Sequence, residues 1–216
     1  MDESDDDVTV LSAEAAAALR EFYMEQEIMR NSYCDLEESV VEESSPFKED
    51  WQLSQFWYDD KTVKTICDEI CRVCPAGSKV ALISAPTLYK SLKKMSENSI
   101  EVKLFEYDSR FSAYGSDFHF YDYKSPLDLP TNFSAYFDLV VADPPFLSEE
   151  CLTKTAVTIK FLAKSKIILC TGEIMEDLAK RLLQVKKTPF SPEHRHKLGN
   201  TFACFTNYND KFVEYE

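Results

Sequence analysis

The chain has 216 residues, 44% of them hydrophobic with 15 Phe and 11 Tyr, which is enough for one sizeable core. Its net charge of −14 is lopsided: residues 1–50 hold 16 Asp+Glu against 3 Lys+Arg, whereas residues 51–216 hold 22 against 21. An acidic leader repels phosphate backbones, no apolar run approaches the ~20 residues of a membrane span, and the opening MDESDDD is the reverse of a secretory signal. Nucleic acid is therefore a disfavoured partner and a membrane is not expected. The seven cysteines are expected as reduced thiols of a cytoplasmic protein.

In chain order, residues 12–30 (SAEAAAALREFYMEQEIMR) have the spacing of a helix, with Ser12 as N-cap and Leu11, Ala15, Leu19, Phe22 and Tyr23 on one face. Residues 31–50 are acidic, Ser-rich and weakly patterned, as in a linker. This divides the chain into an acidic extension, 1–50, and a main domain, 51–216. The main domain starts with the aromatic and polar run WQLSQFWY, followed by helical spacing over Lys61–Cys74. Cys67, Cys71 and Cys74 share the spacing of an iron–sulfur motif. They also share one helix face with Val63, Ile66 and Ile70, so they are expected in the core, and no metal is expected.

Short apolar runs then alternate with helical segments. KVALISA (79–85), EVKLFEYD (101–108), DFHFYDY (117–123), FDLVVAD (137–143) and KIILCTG (166–172) are expected as strands. PTLYKSLKKM (86–95), SEECLTKTAVTIKFLAK (148–164) and EIMEDLAKRLLQV (173–185) are expected as helices, the second capped by Ser148. Two final strands joined by HRHKLGN would form a hairpin that adds an antiparallel edge strand, with His194 and His196 at the surface. Strands separated by helices make an α/β fold with a mainly parallel sheet.

Ligands of such sheets bind at the carboxyl ends of the strands, where strand order reverses. Four strands end there in polar or acidic groups: Ser84-Ala85-Pro86, Glu106-Tyr107-Asp108, Asp122-Tyr123 and Asp143-Pro144-Pro145-Phe146. The chain has only four glycines and none lies after the first strand, which argues against a phosphate-cradling loop for NAD, FAD or ATP. S-adenosylmethionine carries no phosphate. Glu106 and Asp122 stand where its ribose hydroxyls and adenine amine would find acceptors. Asp143 with the Pro144 carbonyl can grip the hydrogens of an amine, Pro145 keeps the turn rigid, and the Phe146 ring offers a face to a base or a cation.

DPPF is similar to the (Asp/Asn)-Pro-Pro-aromatic motif of class I methyltransferases that modify amino nitrogens. Taken with WQLSQFWY, SAPTLY, FEYDSRF, FYDY, DLVVADPPFLSEECL and ILCTG, the chain resembles the eukaryotic elongation factor 1-alpha lysine methyltransferases over most of residues 11–210. That family was formerly assigned as N6-adenine DNA methyltransferases. The resemblance implies a seven-stranded Rossmann-like fold, S-adenosylmethionine as donor and a lysine of elongation factor 1-alpha as acceptor, with the enzyme expected to act as a monomer. Asp143 would orient the amine, with Gln55, Phe56, Trp57 and Tyr58 closing over cofactor or lysine. The departure from the wider class is SAPTLY in place of a Gly-rich loop. N6-adenine methylation of nucleic acid is the rival reading, and a binding module on a degenerate methyltransferase fold is another.

Overall fold

A computed structural model describes residues 49–50, 55–196 and 198–212, all within one compact unit, 45–216. The helix expected over 12–30 and most of the linker expected over 31–50 lie outside the described residues.

Helix α1 (Asp60–Val73) starts at Asp59, whose side chain accepts from the Thr62 amide at 2.7 Å. Asp60 in its first turn and Arg72 in its last complement the helix dipole. Its buried face holds Val63, Ile66, Cys67 and Ile70, so the cysteine face is core, as expected. Burial drives the Cys67 thiol up to about 12, which makes it inert as a nucleophile. After α1 come β1 (Lys79–Ile83), α2 (Thr87–Met95), β2 (Glu101–Glu106), β3 (Phe118–Phe120) and β4 (Phe137–Ala142). Then α3 (Glu149–Leu162), β5 (Ala163–Gly172), α4 (Glu176–Leu183), β6 (Lys186–Lys187) and β7 (Phe202–Thr206) complete the unit. Ser148 caps α3 by accepting from the Cys151 amide, as its position predicts.

The seven strands form one sheet in the order β3-β2-β1-β4-β5-β7-β6. All neighbours are parallel except β7, which runs antiparallel to both β5 and β6. Alternate residues face opposite sides of the pleat. Val80, Leu82, Leu104, Leu139 and Val141 pack with α1 and α2, whereas Ala81, Ile83, Phe105, Val140 and Ala142 pack with α3 and α4. Burying each of the larger aliphatic side chains contributes on the order of 2 kcal/mol. Both faces are covered, which explains why these strands read as unbroken apolar runs.

The expected C-terminal hairpin is present, β6 pairing antiparallel with β7, but its place at the edge needs correction. The antiparallel strand is not the edge: β7 inserts between β5 and β6. The residues explain the order, since Ala203, Cys204 and Phe205 are fully buried and need cover on both sides. Lys186 and Lys187 are exposed, and a two-residue strand of lysines makes a protected edge. Strand β3 is also shorter than DFHFYDY, because Asp122 turns the chain by accepting from the Lys124 amide at 2.9 Å.

From β1 the chain runs outward through β2 and β3, then returns to β4 on the other side of β1. Strand order thus reverses between β1 and β4, directly above Ser84 and Asp143. Ser84 sits at φ 52°, a left-handed conformation that costs a non-glycine residue about 1–2 kcal/mol. Its amide donates to the Phe105 carbonyl at 2.9 Å, which holds it there. SAPTLY therefore makes the tight turn without a glycine. Ser84→Gly is expected to raise stability by about 0.5–1 kcal/mol and Ser84→Val to lower it by more than 1 kcal/mol, read by urea denaturation. Equal stability of all three proteins would contradict the strain.

Candidate functional site

A cavity of about 510 Å³ opens above this reversal point. The ends of four strands build its floor: Ser84, Ala85, Pro86 and Thr87 after β1; Glu106 and Tyr107 after β2; Tyr121, Asp122 and Tyr123 after β3; and Asp143 to Leu147 after β4. Gln55, Phe56, Trp57 and Tyr58 form a wall from the segment before α1. The described lining holds three carboxylates (Glu106, Asp122, Asp143) against a single lysine, Lys124. Such a site favours cationic ligands over phosphates.

Asp143 continues β4 by one amide, donating to the Ile83 carbonyl at 3.0 Å, and this aims its side chain into the cavity floor. The Tyr58 hydroxyl donates to its Oδ2 at 2.6 Å. Burial raises the Asp143 carboxyl to about 7, the Tyr58 bond opposes that shift, and the like charge of Glu106 adds to it. Glu106 is only 6% exposed. Burial pushes it to about 7 as well, even though Oε1 accepts from the amides of Tyr107 at 2.9 Å and Asp108 at 3.2 Å. Two buried carboxyls that titrate near neutrality mark a functional site more often than a structural one.

Both raised values have a consequence for stability. Between its ordinary and its raised value, each native carboxyl holds a proton that the unfolded chain has released. The burial cost is therefore small for Glu106 by pH 4.5, vanishes for Asp143 only below about pH 4, and is complete for both above about pH 7. Glu106→Gln is therefore expected to be more stable than the parent at pH 8, by up to about 3 kcal/mol. The gap closes at pH 4.5, and guanidinium titrations at the two pH values measure it. A gap of constant size would contradict the raised carboxyl.

Asp108 does not line the cavity. Its carboxylate accepts from Gln55 Nε2 at 2.9 Å and from Arg110 Nε at 2.8 Å. Burial would raise its carboxyl, but the Arg110 and Gln55 bonds prevail and hold it below the usual carboxylate range. Gln55 in turn accepts from Arg110 Nη2 at 3.2 Å. Gln55 and Asp108 thus form a strut that ties the aromatic wall to the end of β2. Phe56, Tyr107 and Phe146 are the exposed aromatics of the lining, and Phe146 stands edge-on to Tyr123 at 5.8 Å.

A family model described as "Probable N6-adenine methyltransferase" matches residues 49–210. The chain belongs to this family. Its relatives include EEF1A lysine methyltransferase 1 of Gallus gallus, 48% identical over 96% of this chain and 98% of that protein. The Homo sapiens protein of the same name is 45% identical over 96% of each chain. Among solved structures, a branched-chain polyamine synthase mutein from Thermus thermophilus shares the fold alone, with TM-score 0.52, 12% identity and coverage of 79% of this chain and 64% of that one. The family resemblance read from SAPTLY, DPPF and ILCTG is thereby borne out.

The cavity lining also contains residues that the sequence pattern missed. His194, Leu198, Gly199 and Asn200 from the connection into β7, and Phe202 at its start, also line the cavity. His194 is not a surface residue: its backbone bridges Tyr58, its ring lies 5.1 Å from the Tyr58 ring, and burial lowers it to about 4, so it is neutral. Alternation of short apolar runs carries no information about which loop folds over a site. Gly172 had a visible signal in ILCTG. A Cβ there would come within 2.8 Å of Leu147, so this glycine admits the residue that follows the DPPF turn.

Proposed function

We propose that this chain is a protein-lysine N-methyltransferase that moves a methyl group from S-adenosylmethionine to a lysine of elongation factor 1-alpha. The observation that carries the reading is the convergence of Glu106, Asp122 and Asp143 in one aromatic-walled cavity at the strand reversal. The names of the relatives at 45–48% identity point to the same substrate. The cavity fits the cofactor's chemistry: it offers carboxylate acceptors for ribose and adenine, aromatic rings for a sulfonium, and no glycine cradle for phosphate. When bound, S-adenosylmethionine supplies an electrophilic methyl group.

In this reading Glu106 holds the ribose hydroxyls, Asp122 and Tyr123 border the adenine, and the Ser84-Ala85-Pro86 turn holds the methionine end. Asp143, with the Pro144 carbonyl, accepts hydrogens from the lysine Nζ and aims its lone pair. A nearby carboxylate favours the ammonium form, so Asp143 chiefly captures and orients the lysine. Phe146 and Phe56 pack on the aliphatic stem and keep water from the amine. Residues 51–216 serve as the catalytic domain, and the acidic residues 1–50 attract the basic substrate surface. The protein acts as a cytosolic monomer. Among the described residues no helix is long and apolar enough to cross a membrane.

The test is methylation of purified elongation factor 1-alpha and of a cytosolic extract with labelled S-adenosylmethionine, with and without nuclease, beside Asp143→Ala. Label in one protein band that survives nuclease and vanishes in the variant is the expected outcome. Label removed by nuclease would instead establish the adenine chemistry in the family model's description.

A further inference from the structure

Tyr58 lies 85 residues before Asp143 in the chain, and its ring is 2% exposed. Two backbone hydrogen bonds, which together make the antiparallel Tyr58–His194 bridge, sew its segment to the β6–β7 connection: Asp59 N–H to the Glu193 carbonyl at 3.1 Å and Arg195 N–H to the Trp57 carbonyl at 2.8 Å. The ring is thus immobilised from behind, and its hydroxyl meets Asp143 Oδ2 at 2.6 Å. No described residue donates to Oδ1. A phenol has one proton to give. Burial and the adjacent Asp143 and Cys170 hold the Tyr58 hydroxyl far above its ordinary range, so it stays a donor at every working pH.

We propose that Tyr58 is the positioning residue for Asp143: its hydroxyl pins Oδ2 and leaves Oδ1 as the oxygen that receives the acceptor amine. The inference rests on the methyltransferase reading above and assigns the aromatic wall a second task besides enclosing ligands. A carboxylate on a free χ2 axis would present either oxygen in a range of directions. Pinning one oxygen removes that freedom before the substrate arrives, which is where preorganisation contributes to rate.

The same bond sets the ionisation of the pair. Three titratable groups surround the contact: Glu106 from β2, Cys170 from β5 and His194 from the β6–β7 connection. Glu106 and burial both favour protonated Asp143, and neutral His194 contributes no charge. Tyr58 itself favours the anion, because its O–H donates to the charged form. Removing it shifts the balance toward a protonated, misdirected carboxyl.

The experiment is the pH profile of kcat/KM from pH 6 to 9.5 for the parent, Tyr58→Phe and Asp143→Asn, with S-adenosylmethionine affinity measured by calorimetry in each. The substrate lysine contributes the same slope to all three profiles, so a difference between them belongs to the enzyme. Tyr58→Phe is expected to lose about tenfold at pH 7 and to move the low-pH break upward by about one pH unit. It should recover most of the loss by pH 9, with cofactor affinity unchanged within threefold. Superimposable breaks, or an equal loss at every pH, overturn the positioning role. As a second variant, Tyr58→3-fluorotyrosine keeps the shape and strengthens the donor. Its break is expected to move to lower pH, and an unmoved break overturns the proposal even where Tyr58→Phe fails to fold. An inactive Asp143→Asn beside an unaffected Tyr58→Phe refutes this inference alone, whereas a fully active Asp143→Asn refutes the reading on which it rests.

Discussion

Asp143→Asn is expected to lower kcat/KM for lysine methylation by about two to three orders of magnitude while S-adenosylmethionine affinity changes by less than about threefold. The substitution preserves the side chain's size and still offers an oxygen to the Tyr58 hydroxyl, which now sits 2.6 Å from Oδ2. What it removes is the charge and the second acceptor. The amide nitrogen that replaces Oδ1 would point its own hydrogens at those of the amine. A donor facing a donor leaves the lysine misaligned, and a buried ammonium loses its counter-charge. The loss should fall on kcat as well as KM, because orientation of the lone pair matters most in the transition state. Steady-state assays with a lysine-containing substrate, paired with calorimetric titration of the cofactor, separate the two. A variant within tenfold of the parent would remove Asp143 from the chemistry and leave the DPPF turn as a scaffold.

Glu106→Ala is expected to weaken S-adenosylmethionine binding by about 30- to 100-fold. Glu106 closes β2, where its Oε1 accepts from the Tyr107 and Asp108 amides and Gln55 also bonds its carboxyl, which holds the group in place for the ribose role proposed above. Charge-assisted hydrogen bonds of this kind contribute roughly 1.5–3 kcal/mol. Alanine also strips the buried Asp108 amide and the part-buried Tyr107 amide of their acceptor, which loosens the turn that carries Tyr107. Glu106→Gln should fall between alanine and the parent, since its oxygen can keep the amide bonds while its nitrogen faces the ribose. The same variant is the one expected to gain stability at pH 8. A protein that becomes more stable while binding its cofactor less well shows the usual exchange between burial cost and function. Unchanged cofactor affinity in both variants would move the ribose to another carboxylate, and Asp122 would be the one to substitute next.

Much of this site was legible in the chain before folding. The ends of β1, β2, β3 and β4 were marked by polar residues that interrupt apolar runs, and DPPF is distinctive because two prolines after an aspartate restrict the backbone locally. Ser148 and the Cys67 face followed from one-turn spacing, which is also local. Asp108 was singled out as ligand-facing, yet its carboxylate is held by Gln55 and Arg110 away from the cavity, while Gln55 makes that bond and still lines the wall. His194 was read as surface and is wall.

The amino-acid sequence alone therefore determined the α/β alternation, the strand ends that carry chemistry, the absence of a phosphate loop and the family. Each of these depends on residues within a few positions of one another, where steric limits and side-chain period act directly. The tertiary structure alone decided that β7 enters the sheet inside β6, that Ser84 occupies the left-handed turn, and that Tyr58 meets Asp143 across 85 residues. Those outcomes depend on which apolar faces bury one another in the finished sheet, and no short window of sequence contains both partners.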